Sequence, residues 1–364
     1  MQIDFPPARD IVLTGLIITL GAAGGAVAEQ LGTPMPWMLG ALFVSALLVT
    51  VIRPAPLDSY RFPMGFRTFF VGLIGVMIGT QVTAELVDLA AKLPLTIAAL
   101  ALFVVAAHAG NVAIFRRVGG YDRATAFYSG TPGGLMESIV LGEAAGADTR
   151  ILTVQQFLRI ILVIVLVPTG LSLWLGQPVG SAAGGVAATA PVDPGSLLLI
   201  LATAALGLAG AQRIRLPAAQ LTGPLLLAGL ATMTGLLDLH LPGWMIAAAQ
   251  VVIGVSLGLR FQGVDGALLR RSLGLSCLSV AFMLVLGGTF ALILLPLTGI
   301  PFLHLFISFA PGGVTEMSVI ALSLAANPAL VSLHHVIRIL MTVVELSLAA
   351  RLFGLDSKAQ DGAG

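Results

Sequence analysis

A hexapeptide that occurs twice decides how this chain is read. Pro132-Gly133-Gly134-Leu135-Met136-Glu137 returns as Pro311-Gly312-Gly313-Val314-Thr315-Glu316. The register then runs on without a gap, from Glu137 to Arg159 and from Glu316 to Arg338. It sets Gln155 and Gln156 against His334 and His335. Upstream, Gly75 and Gly79 match Gly254 and Gly258, and Pro34 and Gly40 match Pro217 and Gly223 at a slightly different offset. The chain is therefore read as a duplication. Its halves lie at 11–176 and 195–354, joined by a Gly-, Ala- and Pro-rich linker at 177–194. A repeat of this length is not a solenoid unit; it is the duplicated architecture of many transporters.

The residues around the repeats set the class. Of 364 residues, 57% are hydrophobic and 10% charged, and the mean hydropathy is +1.02. A soluble domain is about one quarter charged, so this chain cannot cover a water-facing surface. That excludes a soluble enzyme and a disordered regulator. A net charge of +1 with no basic run excludes a nucleic-acid binder. The single Cys277 lies in an apolar run and supports neither a disulfide framework nor a Cys-based metal site. The first ten residues lack the basic region and cleavage site of a secretory signal, so the first apolar run is expected to be a retained span.

A bilayer core takes about 20 apolar residues as helix. Runs at 11–28, 34–52, 68–84, 93–115, 151–176, 195–212, 216–237, 242–259, 272–299 and 328–350 are expected to span it. Segments 121–147 and 300–326 are apolar too, but Pro-Gly-Gly interrupts each. Proline removes a helix donor and glycine weakens the helix, so neither reads as one continuous helix.

Positive charge collects on the cytoplasmic side. If both interrupted segments turn back and the N-terminus is inside, 15 Lys and Arg are cytoplasmic and Lys92 alone is outside; if both cross, the split is 9 to 7. The first arrangement is preferred, with interfacial loops as the plainer alternative for the two segments. The expected fold is an all-α polytopic membrane protein: two inverted repeats, each of five transmembrane helices plus one broken re-entrant hairpin. A bacterial inner membrane and cytoplasmic termini go with it.

Irregular backbone at membrane depth is tolerated only where protein buries it or it lines a wet cavity. The half-helix after each Pro-Gly-Gly presents a free N-terminus with partial positive charge. Gly133, Gly134, Gly312 and Gly313 let backbone approach a ligand. Glu137 and Glu316 fall in the first helical turn, where they either cap the helix or meet a ligand or ion. Gln155, Gln156 and Arg159 form one polar stripe, and His334, His335 and Arg338 the other. Ionised groups inside a span are costly and are functional candidates. The alternative is structural, with Glu137 paired to Arg159 and Glu316 to Arg338. The histidines could couple protons, although glutamines replace them in the first half. His108, Asn111 and His304 read as hydrogen-bonded structure. Glu345 lies two turns beyond Arg338.

The stretch Pro34-Met35-Pro36-Trp37-Met38-Leu39-Gly40, the block Gly130-Thr131-Pro132-Gly133-Gly134 with Glu137, and its echo Ala310-Pro311-Gly312-Gly313 with Glu316 resemble the AbrB membrane family. The resemblance covers 11–354 and implies a duplicated membrane domain. Members often carry the labels ammonia monooxygenase or transcriptional regulator. The regulator label implies an indirect effect on gene expression, since no DNA-binding module is read here. The family is distinct from the soluble DNA-binding proteins of the same name. At the level of fold, the broken hairpins are also similar to those of cation/proton antiporters and bile-acid transporters.

The leading expectation is an ion-coupled secondary transporter of a small, anionic or amphipathic solute, not an enzyme. A membrane sensor acting through a partner stands second, and a membrane oxidoreductase third. Substrate contact or ion coupling is expected at Gly133, Gly134, Glu137, Gln155, Arg159, Gly312, Gly313, Glu316, His334 and Arg338. No cofactor, metal or nucleic acid is expected. The partners are a small-molecule or ion substrate and the lipid bilayer, with a homodimer open as the assembly state.

Overall fold

Every apolar run is helical in the computed structural model, which describes residues 7–81, 89–176, 178, 194–236, 239, 242–324 and 326–355. Among the described residues there is no strand. The first half contributes α1 (Ala8–Gln30), α2 (Pro36–Leu47, prolonged by a π turn over Leu48–Ile52), α3 (Met64–Thr80) and α4 (Leu93–Arg117). It continues with α5 (Arg123–Ser129), α6 (Leu135–Ala144) and α7 (Thr149–Leu175). The second half contributes α8 (Pro194–Arg213), α9 (Ala219–Met233), α10 (Gly243–Gly258) and α11 (Gly266–Thr298). It ends with α12 (Phe302–Phe309), α13 (Val314–Ser323) and α14 (Pro328–Leu352). Both interrupted segments are helix, break, helix. The linker expected at 177–194 lies outside the described residues except for residues 178 and 194, and Pro194 already opens α8.

Among the described residues, seven helices are long and apolar enough to cross a membrane: α1, α4, α7, α8, α10 with its short extension, α11 and α14. The other three expected spans, α2, α3 and α9, are shorter apolar helices. A 15-residue helix such as α9 reaches about 22 Å, against a hydrocarbon core of about 30 Å. For α3 the surroundings bear on this. Residues Val71, Gly72 and Leu73 through Gly79 of α3 are all buried, so this helix packs on protein where a full lipid-facing span would meet acyl chains.

The helices sort into two compact units. The first takes 1–84, 165–264 and 318–329. Its packing repeats the sequence duplication. Gly75 and Gly79 of α3 lie against the backbone of α9 at Leu221 and Leu225, so closely that a Cβ would collide with those carbonyls. Gly254 and Gly258 of α10 lie in the same way against Met38 and Leu42 of α2. Each half thus docks a glycine-faced helix on the other half's counterpart helix. Within the halves, Gly24 meets Gly40 between α1 and α2, and Gly207 meets Gly223 between α8 and α9. Small residues that let backbones touch are how apolar helices associate without a hydrophobic driving force in lipid. Even a strained feature recurs: Met35 (φ 45°) and Ala218 (φ 49°), each just after its matched proline, are left-handed N-caps of α2 and α9.

The second unit takes 85–164, 265–317 and 330–364. It holds α4, α5, α6, α11, α12, α14, the front of α7 and the first turn of α13. Phe103 of α4, Phe290 of α11 and Phe309 of α12 form an aromatic core with centroid separations of 5.5–6.0 Å. Such buried rings fix neighbouring helices through edge and stacked contacts. Both Pro-Gly-Gly breaks and both intramembrane arginines belong to this unit.

Candidate functional site

The two breaks are built by the same local chemistry. Ala310 is extended (φ −59°, ψ 139°), as a residue before proline should be, so its carbonyl leaves the helical ladder. A buried carbonyl without a partner is costly. The Gly312 N–H donates to the Ala310 carbonyl at 2.9 Å, and Arg338 adds a second donor: Nη1 donates to the Ala310 carbonyl and Nη2 to the Gly312 carbonyl, each at 2.5 Å. In the first half, Arg159 Nη1 donates to the carbonyl of Thr131, the residue matched to Ala310. The arginine stands 28 residues after its acceptor in both halves. Gln156 adds to the hold on the first break, with Nε2 donating to the Tyr128 carbonyl at 3.0 Å and to Thr131 Oγ1 at 2.8 Å.

The breaks also meet each other. A Cβ built on Gly133 would lie 3.7 Å from Arg338 Cγ and Nε and 3.0 Å from Thr342 Oγ1. Arg338 therefore runs along the first break while it binds the second. Both arginines are buried, at 6% and 1% exposure. Among the described residues neither has a carboxylate in ion-pair range. Taking a charge out of water costs several kcal/mol even after relaxation, and carbonyl dipoles offset only part of that. The Nε–H of each arginine is buried and unpartnered.

The remaining expected site residues divide. Glu137 and Glu316 sit at the third position of α6 and α13, and each carboxylate folds back toward its own Gly134 or Gly313. That is the geometry of an acid serving its helix N-terminus. The Glu–Arg pairs offered as the structural alternative do not form among the described residues. Gly134 is left-handed (φ 59°), a conformation its counterpart Gly313 does not share. Gln155 is turned away from the breaks: Nε2 donates to Tyr121 Oη at 2.8 Å, and Oε1 accepts from Ser276 Oγ. His334 and His335 each donate from Nδ1 to a carbonyl of their own helix at 2.9 Å. A carbonyl only accepts, so Nδ1 carries the proton. Nε2 of each ring is buried and makes no hydrogen bond of normal geometry among the described residues.

Two arrangements lie outside the expected site residues, and both involve side chains read as hydrogen-bonded structure. Asn111, read as structural, braces the first break: Nδ2 donates to the Gly130 carbonyl at 3.0 Å, and Oδ1 accepts from Ser279 at 2.8 Å. His108 and Glu345, read separately, are in contact at 2.6 Å. For Asn111 the usable signal was the adjacency of a polar residue to an interrupted helix. For His108 and Glu345, 237 residues apart, no spacing or motif pointed to the pair.

A family model described as AbrB, "Transition state regulatory protein AbrB", matches residues 48–354. The chain is 25% identical over 352 residues to "Uncharacterized protein YhjN" of Bacillus subtilis (strain 168), covering 92% of this chain and 91% of that protein. It is 27% identical over 271 residues to a protein of Escherichia coli (strain K12) provisionally named regulator AbrB, covering 73% of this chain and 76% of that one. No solved structure matches the chain.

Proposed function

We propose that this chain, which belongs to the AbrB family, is an ion-coupled secondary transporter that moves a small anionic solute through the chamber where its two breaks converge. The observation that carries the reading is the pair Arg159 and Arg338. Among the described residues these two buried cations have no carboxylate in range, both bind the backbone of the breaks, and the Nε–H of each is unpartnered. Guanidinium groups and helix N-termini are the usual ligands of carboxylate and phosphate. Because the same groups also hold the Thr131, Ala310 and Gly312 carbonyls, a bound anion is linked to the conformation of both breaks. That linkage is what alternating access needs from a site.

The membrane arrangement belongs to the same proposal. The halves are inverted, the segment around Gly133 enters from the cytoplasm and the segment around Gly312 from outside, both termini are cytoplasmic, and the membrane is the bacterial inner membrane. The charge distribution supports it. The reciprocal docking of α3 on α9 and α10 on α2 also supports a pseudo-symmetric pair of halves.

A second reading follows from the regulatory names of the family model and the E. coli relative. In it, the same chamber senses a solute and reports to a partner that acts on gene expression. Counterflow of small carboxylates and phosphorylated metabolites in proteoliposomes separates the two. The transporter reading expects solute exchange that falls at least tenfold in Arg159→Lys and Arg338→Lys. Binding without exchange in the wild type would overturn it in favour of the sensor.

A further inference from the structure

The second unit holds an ion pair that the site above does not use. His108 of α4 and Glu345 of α14 meet with Nδ1 and Oε1 2.6 Å apart, and their side chains are 3% and 18% exposed. The other ring nitrogen, Nε2, lies 2.8 Å from the Phe127 carbonyl. A carbonyl oxygen accepts and never donates, so Nε2 must carry a hydrogen.

That fixes the proton count of the pair. With Nε2 protonated, Nδ1 is either a bare lone pair or a second N–H. A contact of 2.6 Å to a carboxyl oxygen needs a hydrogen between the two atoms. It sits on Oε1, giving a neutral acid and a neutral imidazole, or on Nδ1, giving a carboxylate and an imidazolium. Both forms hold the same number of protons, and both are neutral overall. Removing one proton leaves a single imidazole hydrogen for two acceptors, so either Glu345 Oε1 or the Phe127 carbonyl then faces a bare nitrogen lone pair. The two contacts, Nδ1 to Glu345 on α14 and Nε2 to the Phe127 carbonyl on α5, therefore coexist only with this proton in place.

The pair is also accessible. It lines a cavity of about 900 Å³ between α4, α5 and α14, whose other walls are mostly apolar. The charged or titratable groups that line it are His108, Glu345, Arg116 and Arg123. Arg116 follows His108 by eight residues on α4, about 12 Å along the axis. Arg123 is held at the N-terminus of α5 over the Phe353 ring. On α14, Arg338 lies seven residues before Glu345 and is bound to the second break. From α11, which packs on α4 through Asn111 and Ser279, the titratable group near this level is Cys277, and it is exposed.

We propose that His108 and Glu345 form a proton-binding site. It takes one proton from the cavity side to hold α4 against α14 and α5 at once, and returns that proton when either contact opens. Its use as the coupling site of transport rests on the transporter reading above; the binding of the proton does not.

The test separates the two. Infrared difference spectra of the purified protein in lipid film are recorded between alkaline and acidic buffer. The wild type is expected to gain a signal from the pair on acidification, in the carboxyl carbonyl stretch or the imidazolium ring modes. Glu345→Gln keeps shape and a donor to Nδ1 but cannot ionise, and it should lose that signal. His108→Asn should shift it. Difference spectra of wild type and Glu345→Gln that superimpose overturn the site. Pyranine-loaded proteoliposomes then read proton movement during solute exchange. Wild-type proton movement in Glu345→Gln overturns the coupling role. An infrared signal lost in Glu345→Gln, from a wild type that exchanges no solute, upholds the proton site and ends the transporter reading instead.

Discussion

Arg338 lies along Gly133, a residue of the opposite sequence half, while its guanidinium holds the carbonyls of Ala310 and Gly312. One side chain from the last helix thereby fastens both interrupted segments together. Arg159 performs the first half's share through the Thr131 carbonyl.

Replacing these arginines by lysine should separate charge from hydrogen-bond geometry. Lysine keeps the cation but cannot present a planar fork to two carbonyls. Each lost charge-assisted bond is worth about 1.5–3 kcal/mol. Arg338→Lys, which gives up two carbonyls, should therefore lower the melting temperature in detergent more than Arg159→Lys, which gives up one. Equal melting temperatures for both variants and the wild type would show that the carbonyl bonds carry no stability.

Gly133 tests the contact between the breaks. A methyl group there would lie 3.0 Å from Thr342 Oγ1, so Gly133→Ala should cost about 1 kcal/mol through overpacking. Thr342→Ala removes the obstructing oxygen. In a double-mutant cycle the cost of Gly133→Ala should shrink by at least half in the Thr342→Ala background. Additive effects would place Gly133 elsewhere.

The duplicated glycines should be interchangeable in their importance. Gly75→Val and Gly254→Val each drive a side chain into backbone, at Leu221 and at Met38. Both should lower the yield of folded protein to a similar degree, with losses of about 2 kcal/mol or more. A strong effect at one and none at the other would break the symmetry argued for the first unit.

The inverted arrangement can be mapped with single cysteines in a Cys277→Ser background. Ala91→Cys and Pro301→Cys should react with a membrane-impermeant maleimide added to whole cells. Gln212→Cys and Ala267→Cys, all four positions being exposed, should react only after lysis. Labelling of the second pair in intact cells would contradict the proposed topology.

How much of this was legible in the sequence depends on what each feature leaves in it. Apolar runs and Pro-Gly-Gly breaks are covalent facts, so all ten helical runs and both interruptions were readable. The constant step from Pro132 to Arg159 and from Pro311 to Arg338 was readable too, but not its meaning. An arginine that binds backbone carbonyls leaves no partner side chain to find, so glutamates were the natural candidates, and they serve their own helix ends. Gln155 and Gln156 are adjacent and equally polar; only the rotation of α7 decides that Gln156 faces the break while Gln155 faces Tyr121 and Ser276. The short α3 had full-length apolar composition, because burial in protein selects the same residues as burial in lipid.

The claim on which the rest depends is that the converging breaks form an anion site. A crystal of the protein soaked in bromide and measured at the bromine absorption edge tests it directly. The account predicts an anomalous peak between Arg159 and Arg338, within hydrogen-bond reach of at least one of the two free Nε–H groups. A chamber without a peak, in a crystal whose surface sites are occupied by bromide, would contradict it.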